Sequence, residues 1–236
     1  MKCSANGITN TGNIVLFWPE LSPAEFQQRY AEGPGELLEE LQAAGKLICF
    51  PCEQRRDYSL GLFVDEPVPE ELQNYCTLSE KIETLQVGGE GWFGGEETLF
   101  NEDSYRDRHP RKCSAVQIPT GEYFAEVFTT EIPDSVYEAW IKTEAGPRAQ
   151  QLWWIQTWFA AVGIVAAMVC VGSLFVGTQE LTLAAFVGSA ALLFIAWLLS
   201  LTPGYQRVQQ ARRDYAAAFP NFVVRLRKEP RTTSDP

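Results

Sequence analysis

Two long apolar stretches dominate the pattern of hydrophobic and polar positions along this chain. From Trp153 to Val176 there are 24 residues without a charge, and from Leu181 to Thr202 another 22. Only Gly177, Thr178, Gln179 and Glu180 lie between them. A helix needs about 20 apolar residues to cross the hydrocarbon of a bilayer, so each stretch predicts a membrane-spanning helix and the short connection predicts a hairpin. The other reading is a pair of buried helices in a soluble core, but nothing else in the chain is large enough to bury them. Small residues recur at helical spacing on one face of each helix: Ala160, Gly163, Ala167 and Cys170 in the first, Ala184, Gly188 and Ala191 in the second. Small side chains let membrane helices approach closely and gain van der Waals contact where no hydrophobic effect is available. These faces are the expected helix–helix contact, within the hairpin or between copies in a homo-oligomer.

The remaining segments carry shorter patterns. Asn13–Trp18 reads as a strand. Ser22-Pro23-Ala24-Glu25 is a helix start, with an N-cap serine, proline at the first position and a capping-box glutamate. That helix runs to about Glu32, breaks at Gly33-Pro34-Gly35 and resumes to Ala44. Lys46–Cys52 and Tyr58–Asp65 read as strands joined by a charged turn at Gln54–Asp57, Pro69–Tyr75 as a short helix and Ile82–Val87 as a strand. Ser114–Ile118 and Glu122–Thr130 around Pro119-Thr120-Gly121 read as a hairpin, and Asp134–Lys142 as a helix. After the apolar pair, Tyr205–Phe219 has helical spacing and Pro220-Asn221 breaks it. Phe222, Val224 and Leu226 then alternate with Val223, Arg225 and Arg227, a strand with one wet face. A lone strand needs a sheet, and the one available lies upstream.

The fold expected is therefore an α+β domain with a mixed, largely antiparallel sheet and flanking helices, plus a two-helix transmembrane hairpin, with the last strand returning to the sheet. Composition divides the chain the same way. Residues 1–148 hold 12 basic and 26 acidic residues, a net −14; residues 149–202 hold one charge, Glu180; residues 203–236 hold seven bases against three acids. An acidic head excludes a nucleic-acid partner, which requires a basic footprint. The basic tail and the base-free connecting loop place both termini on the cytoplasmic side of an inner or plasma membrane by the positive-inside rule. Trp153, Trp154 and Trp158 at one end and Tyr205 at the other mark the inner interface. Met1–Gly12 is polar and the first apolar run, Ile14–Trp18, has five residues, short of the roughly 7–15 of a signal peptide. The expectation is that no cleaved leader exports the head.

Candidate chemistry is sparse. Cys49-Phe50-Pro51-Cys52 has the spacing of a zinc or redox knuckle, and His109 with Cys113 could complete four ligands. A single C-x-x-C without a matching second half is weak, and a redox cysteine sits best at a helix N-terminus, whereas Lys46–Cys52 reads as a strand. The plainer reading is of small apolar core thiols, kept reduced, with no cofactor bound. The run Gly88-Gly89-Glu90-Gly91-Trp92-Phe93-Gly94-Gly95-Glu96-Glu97 has no G-K-[ST] and three glutamates, which argues against a phosphate loop. Trp92 and Phe93 could form a partner-binding tip; folded back, they belong to the core of a wide hairpin. His109, the sole histidine, lies in a charged loop without a recognisable nucleophile partner. The leading expectation is a membrane-tethered, non-enzymatic cytoplasmic binding module: a sensor, regulator or toxin-neutralising, immunity-type protein whose partners are the lipid bilayer and a protein. The alternatives are an oligomerising membrane-perturbing effector gated by its head, and a zinc- or thiol-dependent enzyme.

Overall fold

The computed structural model of the 236-residue chain describes residues 1–9, 13–18, 23–52, 57–97, 112–176 and 179–228. Ser22, the turn at Gln54–Arg56, His109, and Gly177 with Thr178 lie outside the described residues, as does the side chain of Ala184. Two compact units form. One comprises the chain up to Ile132 and again from Ala216; the other is Pro133–Tyr215. The first division thus falls ahead of residue 149, where composition changes.

The first unit is a two-layer β-sandwich. Its strands are β1 (Lys2–Ile8), β2 (Asn13–Phe17), β3 (Leu47–Pro51), β4 (Asp57–Val64), β5 (Cys76–Val87), β6 (Glu90–Gly95), β7 (Cys113–Gln117), β8 (Gly121–Thr130) and β9 (Phe222–Lys228). One sheet has the order β1-β4-β9-β8-β5, the other β3-β2-β6-β7. All neighbours are antiparallel except β4 and β9. Between the layers lie Ile14, Leu16, Ile48 and Phe93 from the four-stranded sheet and Leu60, Leu62, Val224 and Leu226 from the five-stranded one, all fully buried. Period-2 alternation places these residues on one face. The opposite face of β2 and β3 packs Val15, Phe17 and Leu47 against Leu37 and Leu41 of α2 (Pro34–Ala43), which follows α1 (Pro23–Glu32). The outer face of the larger sheet packs Phe63 and Val223 against Val68 and Leu72, the latter on α3 (Glu70–Gln73).

The C-terminal strand does return to the sheet, and it returns to the centre. β9 lies between β4 and β8, with Leu62 opposite Val224 on one side and Val127 opposite Val224 on the other. Asn221 sets its register: its Oδ1 accepts from Ser59 N (2.9 Å) and Ser59 Oγ (3.0 Å), and Thr130 N donates to Asn221 O (3.0 Å). The wet face of the strand is less wet than its sequence suggests, because Arg225 pairs with Glu126 on β8 and Arg227 approaches the same carboxylate at 3.7 Å.

One local expectation is corrected. Ser114–Ile118 and Glu122–Thr130 form no hairpin: β7 pairs β6 in one sheet, while β8 pairs β5 and β9 in the other. The Pro119 turn carries the chain between layers, and Tyr123 Oη donates to Pro119 O (2.8 Å) to hold it. Of the glycine-rich run, Glu90–Gly95 is β6, an interior strand paired with β7, and Phe93 folds back into the core. Gly91 is required there because a Cβ would stand 2.6 Å from Trp18 Nε1 of a fully buried indole. Lys2–Ile8, polar by composition, is a strand whose inward positions are small, such as Ala5 and Gly7, and so leave no hydropathy signal.

The second unit is helical: α4 (Asp134–Glu144), α5 (Pro147–Val176), α6 (Gln179–Ser200) and α7 (Pro203–Ala218), which runs into the first unit at its end. Ile141, Ala145 and Ala149 pack on Val208 and Ala211, and Trp140 Nε1 donates to Ala211 O (3.0 Å). The Arg212 guanidinium lies 4.1 Å from the centre of the Trp153 ring, a cation–π contact.

Candidate functional site

Two places in the molecule combine exposure with a chemistry that calls for a partner. The first is α5. Among the described residues one helix is long and apolar enough to cross a membrane, Pro147–Ser173. The 30 residues of α5 extend about 45 Å at 1.5 Å per residue, more than the ~30 Å of bilayer hydrocarbon. Trp154, Trp158, Ile164, Val165 and Met168 are exposed along it. The stretch Ala185–Ser200 of α6 is long and apolar enough only jointly with α7, from which it is bent by 68°. Its exposed residues are of the same kind, including Phe186, Phe194 and Trp197.

The two helices touch along a small-residue face. Gly163 is buried, and a Cβ there would meet the Leu193 side chain at 3.0 Å. Ala160, Ala167 and Cys170 are half-buried. On α6 the face lies one position round from the expected triplet. Ser189 and Ala196 are buried, Ala191 is exposed, and Gly188 has open space where a Cβ would stand. Leu193, not glycine, meets Gly163 there. Ser173 and Ser189 each donate to a carbonyl of their own helix, Cys170 O (2.8 Å) and Phe186 O (2.9 Å).

The second place is a cleft of about 430 Å³ in the first unit, between the edges of β3 and β5. Phe50, Val127 and Phe222 supply its apolar lining, while Gln42, Ser79, Glu80 and Thr129 provide polar groups. At one end the seam is closed: Gln86 N donates to Gly45 O (2.7 Å). Gly45 has φ +66 and lies so near Thr84 O that a Cβ would be 2.2 Å from it, so only glycine closes the seam there. Farther along, Gln42 Nε2 donates to Glu80 Oε1 (3.1 Å) and Ser79 Oγ to Thr129 Oγ1 (3.2 Å). The register of β5 against β8 shifts between Leu78 and Glu80, and such a bulge bends an edge strand. Leu78 beside it is 45% exposed. No sequence signal marks this cleft, since its walls come from five separate elements.

The residues singled out by sequence are placed as follows. Cys49, Val15, Gly94 and Cys113 form one row across the smaller sheet. Three strand spacings of about 4.8 Å put roughly 14 Å between Cys49 and Cys113, too far for one metal ion. Cys49 packs on the helical side of its sheet and Cys52 against the inner core, so the C-x-x-C pair does not converge either. Among the described residues no three His, Cys, Asp or Glu side chains converge as metal ligands. Burial, then the charges of Glu96, Cys52 and Glu80, push the Cys49 thiol up to about 11, the reverse of what a thiolate nucleophile needs. Phe93 is fully buried and Trp92 is half-buried against the helical side of its sheet, so neither stands on a projecting tip. Beyond β6, Asn13 Nδ2 donates to Glu96 Oε2 (3.2 Å) and Thr9 Oγ1 to Asn13 O (2.8 Å). Burial, with Glu96 and Glu97, raises the Tyr30 phenol to about 12.

No protein-family model matches the sequence, and no curated protein matches it. Among solved structures the chain is similar to one described as "Crocagin biosynthetic gene J", at 14% identity over 55% of this chain and 79% of that one, with a TM-score of 0.40. It is also similar to ComJ from Bacillus subtilis, an inhibitor of the DNA degrading activity of NucA, at 9% identity over 55% of this chain and 81% of that one, with a TM-score of 0.31. Likeness at these values establishes neither a common fold nor a common activity.

Proposed function

We propose that this chain is a membrane-tethered, non-enzymatic binding module. In this reading α5 and α6 cross the membrane as a hairpin, and the sandwich stands on the cytoplasmic side, engaging a protein partner as a sensor, regulator or toxin-neutralising protein. The supporting observation is α5: a helix about 45 Å long whose exposed residues are tryptophan, isoleucine, valine and methionine. Water would penalise each such side chain by about 1.5–3 kcal/mol relative to burial, and lipid would not. The chain enters this unit from the sandwich and re-enters the sandwich after it, so both ends of the hairpin share one side. The bases of the tail choose the cytoplasmic side. The two described serines of the helix contact are satisfied by their own backbones, which favours an anchor over a hydrated pore.

The test is extraction and labelling. Alkaline carbonate should leave the full chain in the membrane pellet. In a cysteine-free background, Thr178→Cys should react with an impermeant thiol reagent from outside the cell, and Thr233→Cys only after lysis. Release by carbonate sinks the tether, and the opposite labelling pattern sinks the orientation.

A further inference from the structure

The seam between β3 and β5 has the chemistry of a strand-accepting site. β3 is an edge strand of its sheet. Trp18 N donates to Lys46 O (3.2 Å), so in the antiparallel ladder Ile48 and Phe50 direct their backbone groups to β2, and Gly45, Leu47 and Cys49 direct theirs away from it. Gly45 confirms the alternation, since its carbonyl accepts from Gln86 across the seam. Beyond that closure Phe50 and Phe222 still pack on each other across the layers, with ring centroids 4.6 Å apart, but among the described residues nothing hydrogen-bonds the N–H or C=O of Cys49. Those groups border the cleft whose lining includes Phe50, Val127 and Phe222. Across the mouth stands the bulged start of β5, with Leu78 exposed. Edge strands ordinarily hide such groups; here Pro51, which has no N–H, ends the strand and leaves one short length open.

We propose that this seam binds an extended, basic segment of a protein partner, which adds as a strand to β3 at Leu47–Cys49 and sets an apolar side chain into the cleft. Strand addition draws affinity from main-chain hydrogen bonds and specificity from pockets for alternate side chains. The partner's charge follows from complementarity. The cleft lining contains one ionisable carboxylate, Glu80, and no cation, and the two segments of the sandwich unit, 1–132 and 216–236, hold 14 basic and 25 acidic residues, a net −11. An acidic segment would be repelled, whereas lysines or arginines alternating with apolar residues meet both the field and the cleft. This inference names the surface of the binding module proposed above and rests on that reading.

The probe is a synthetic peptide of about eight alternating valines and lysines, a length matched to one added strand, with fluorescence anisotropy read against the full chain in detergent. Binding should weaken by at least roughly tenfold when the peptide amides on one edge are N-methylated, because hydrogen bonds are lost and their partners stay unpaired. Cys49→Pro, which deletes the outward N–H, should do the same, and so should Ser79→Trp, which fills the mouth from an exposed position. A glutamate-for-lysine peptide should not bind. Equal binding of the N-methylated peptide would show charge attraction alone and overturn the proposal. So would equal binding by both variants, or no binding of the valine–lysine peptide to the parent chain. Carbonate extraction reads the tether independently, so a chain that stays in the membrane but fails with the peptide loses this inference and keeps the tether.

Discussion

Leu226→Ala should destabilise the sandwich although the residue lies 94 positions beyond Ile132, where the first pass through that unit ends. Leu226 is fully buried in the inter-layer core, opposite Val64 on β4 and Ala125 on β8. Truncation of a buried leucine costs about 2–5 kcal/mol, part transfer energy and part residual cavity. For a domain of this size each kcal/mol moves the melting temperature by about 2–4 °C, so the expected drop is on the order of 10 °C. Arg227→Ala is the control. Its side chain is 55% exposed and its contact with Glu126 spans 3.7 Å, an ion pair worth under about 1 kcal/mol. Thermal unfolding in detergent, followed by amide hydrogen exchange in β4 and β8, reads the effect where β9 pairs. Truncation after Phe219 is the larger perturbation, because it removes a central strand and leaves both neighbours with an open edge. The apolar helices α5 and α6 are untouched by it. If Leu226→Ala melts with Arg227→Ala, and the truncated chain protects β4 and β8 as before, the strand does not complete the sheet in solution.

Two further outcomes follow from single side chains. Gly91→Ala should lower stability by about 1–3 kcal/mol, the usual cost of overpacking, since the new methyl meets Trp18 at 2.6–2.9 Å; a melting temperature equal to wild type would mean the indole can move. Cys49 should alkylate with iodoacetamide far more slowly at pH 8 than a free thiol, because its folded value near 11 keeps it protonated. With the unfolded thiol near 8.5, the folded state holds the extra proton between the two values, so this contribution to stability is present below the unfolded value and is lost as pH rises through the folded one. Rapid modification of the folded chain at pH 8 would contradict the burial.

The long-period signals were legible in the sequence. The apolar lengths, the breakers around Pro34 and Pro220, and the alternation of Phe222, Val224 and Leu226 each depend on neighbouring residues alone. That alternation even required a sheet elsewhere, and β9 meets it. What the sequence left open was pairing. Ser114–Ile118 and Glu122–Thr130 look like a hairpin because a turn sits between them, yet which strand each joins depends on the faces that the two layers must cover. The glycines of β6 resemble a loop for a similar reason. Their lack of side chains serves Trp18 and Cys113 on neighbouring segments, which no local window contains. The cleft went unseen because its walls are contributed by α2, β3, β5, β8 and β9, and it lies between two strand edges that are joined at Gly45 and come together only in the folded chain. Local free energies select helices and strands. Which strand edge stays unpaired is decided by how the finished layers meet.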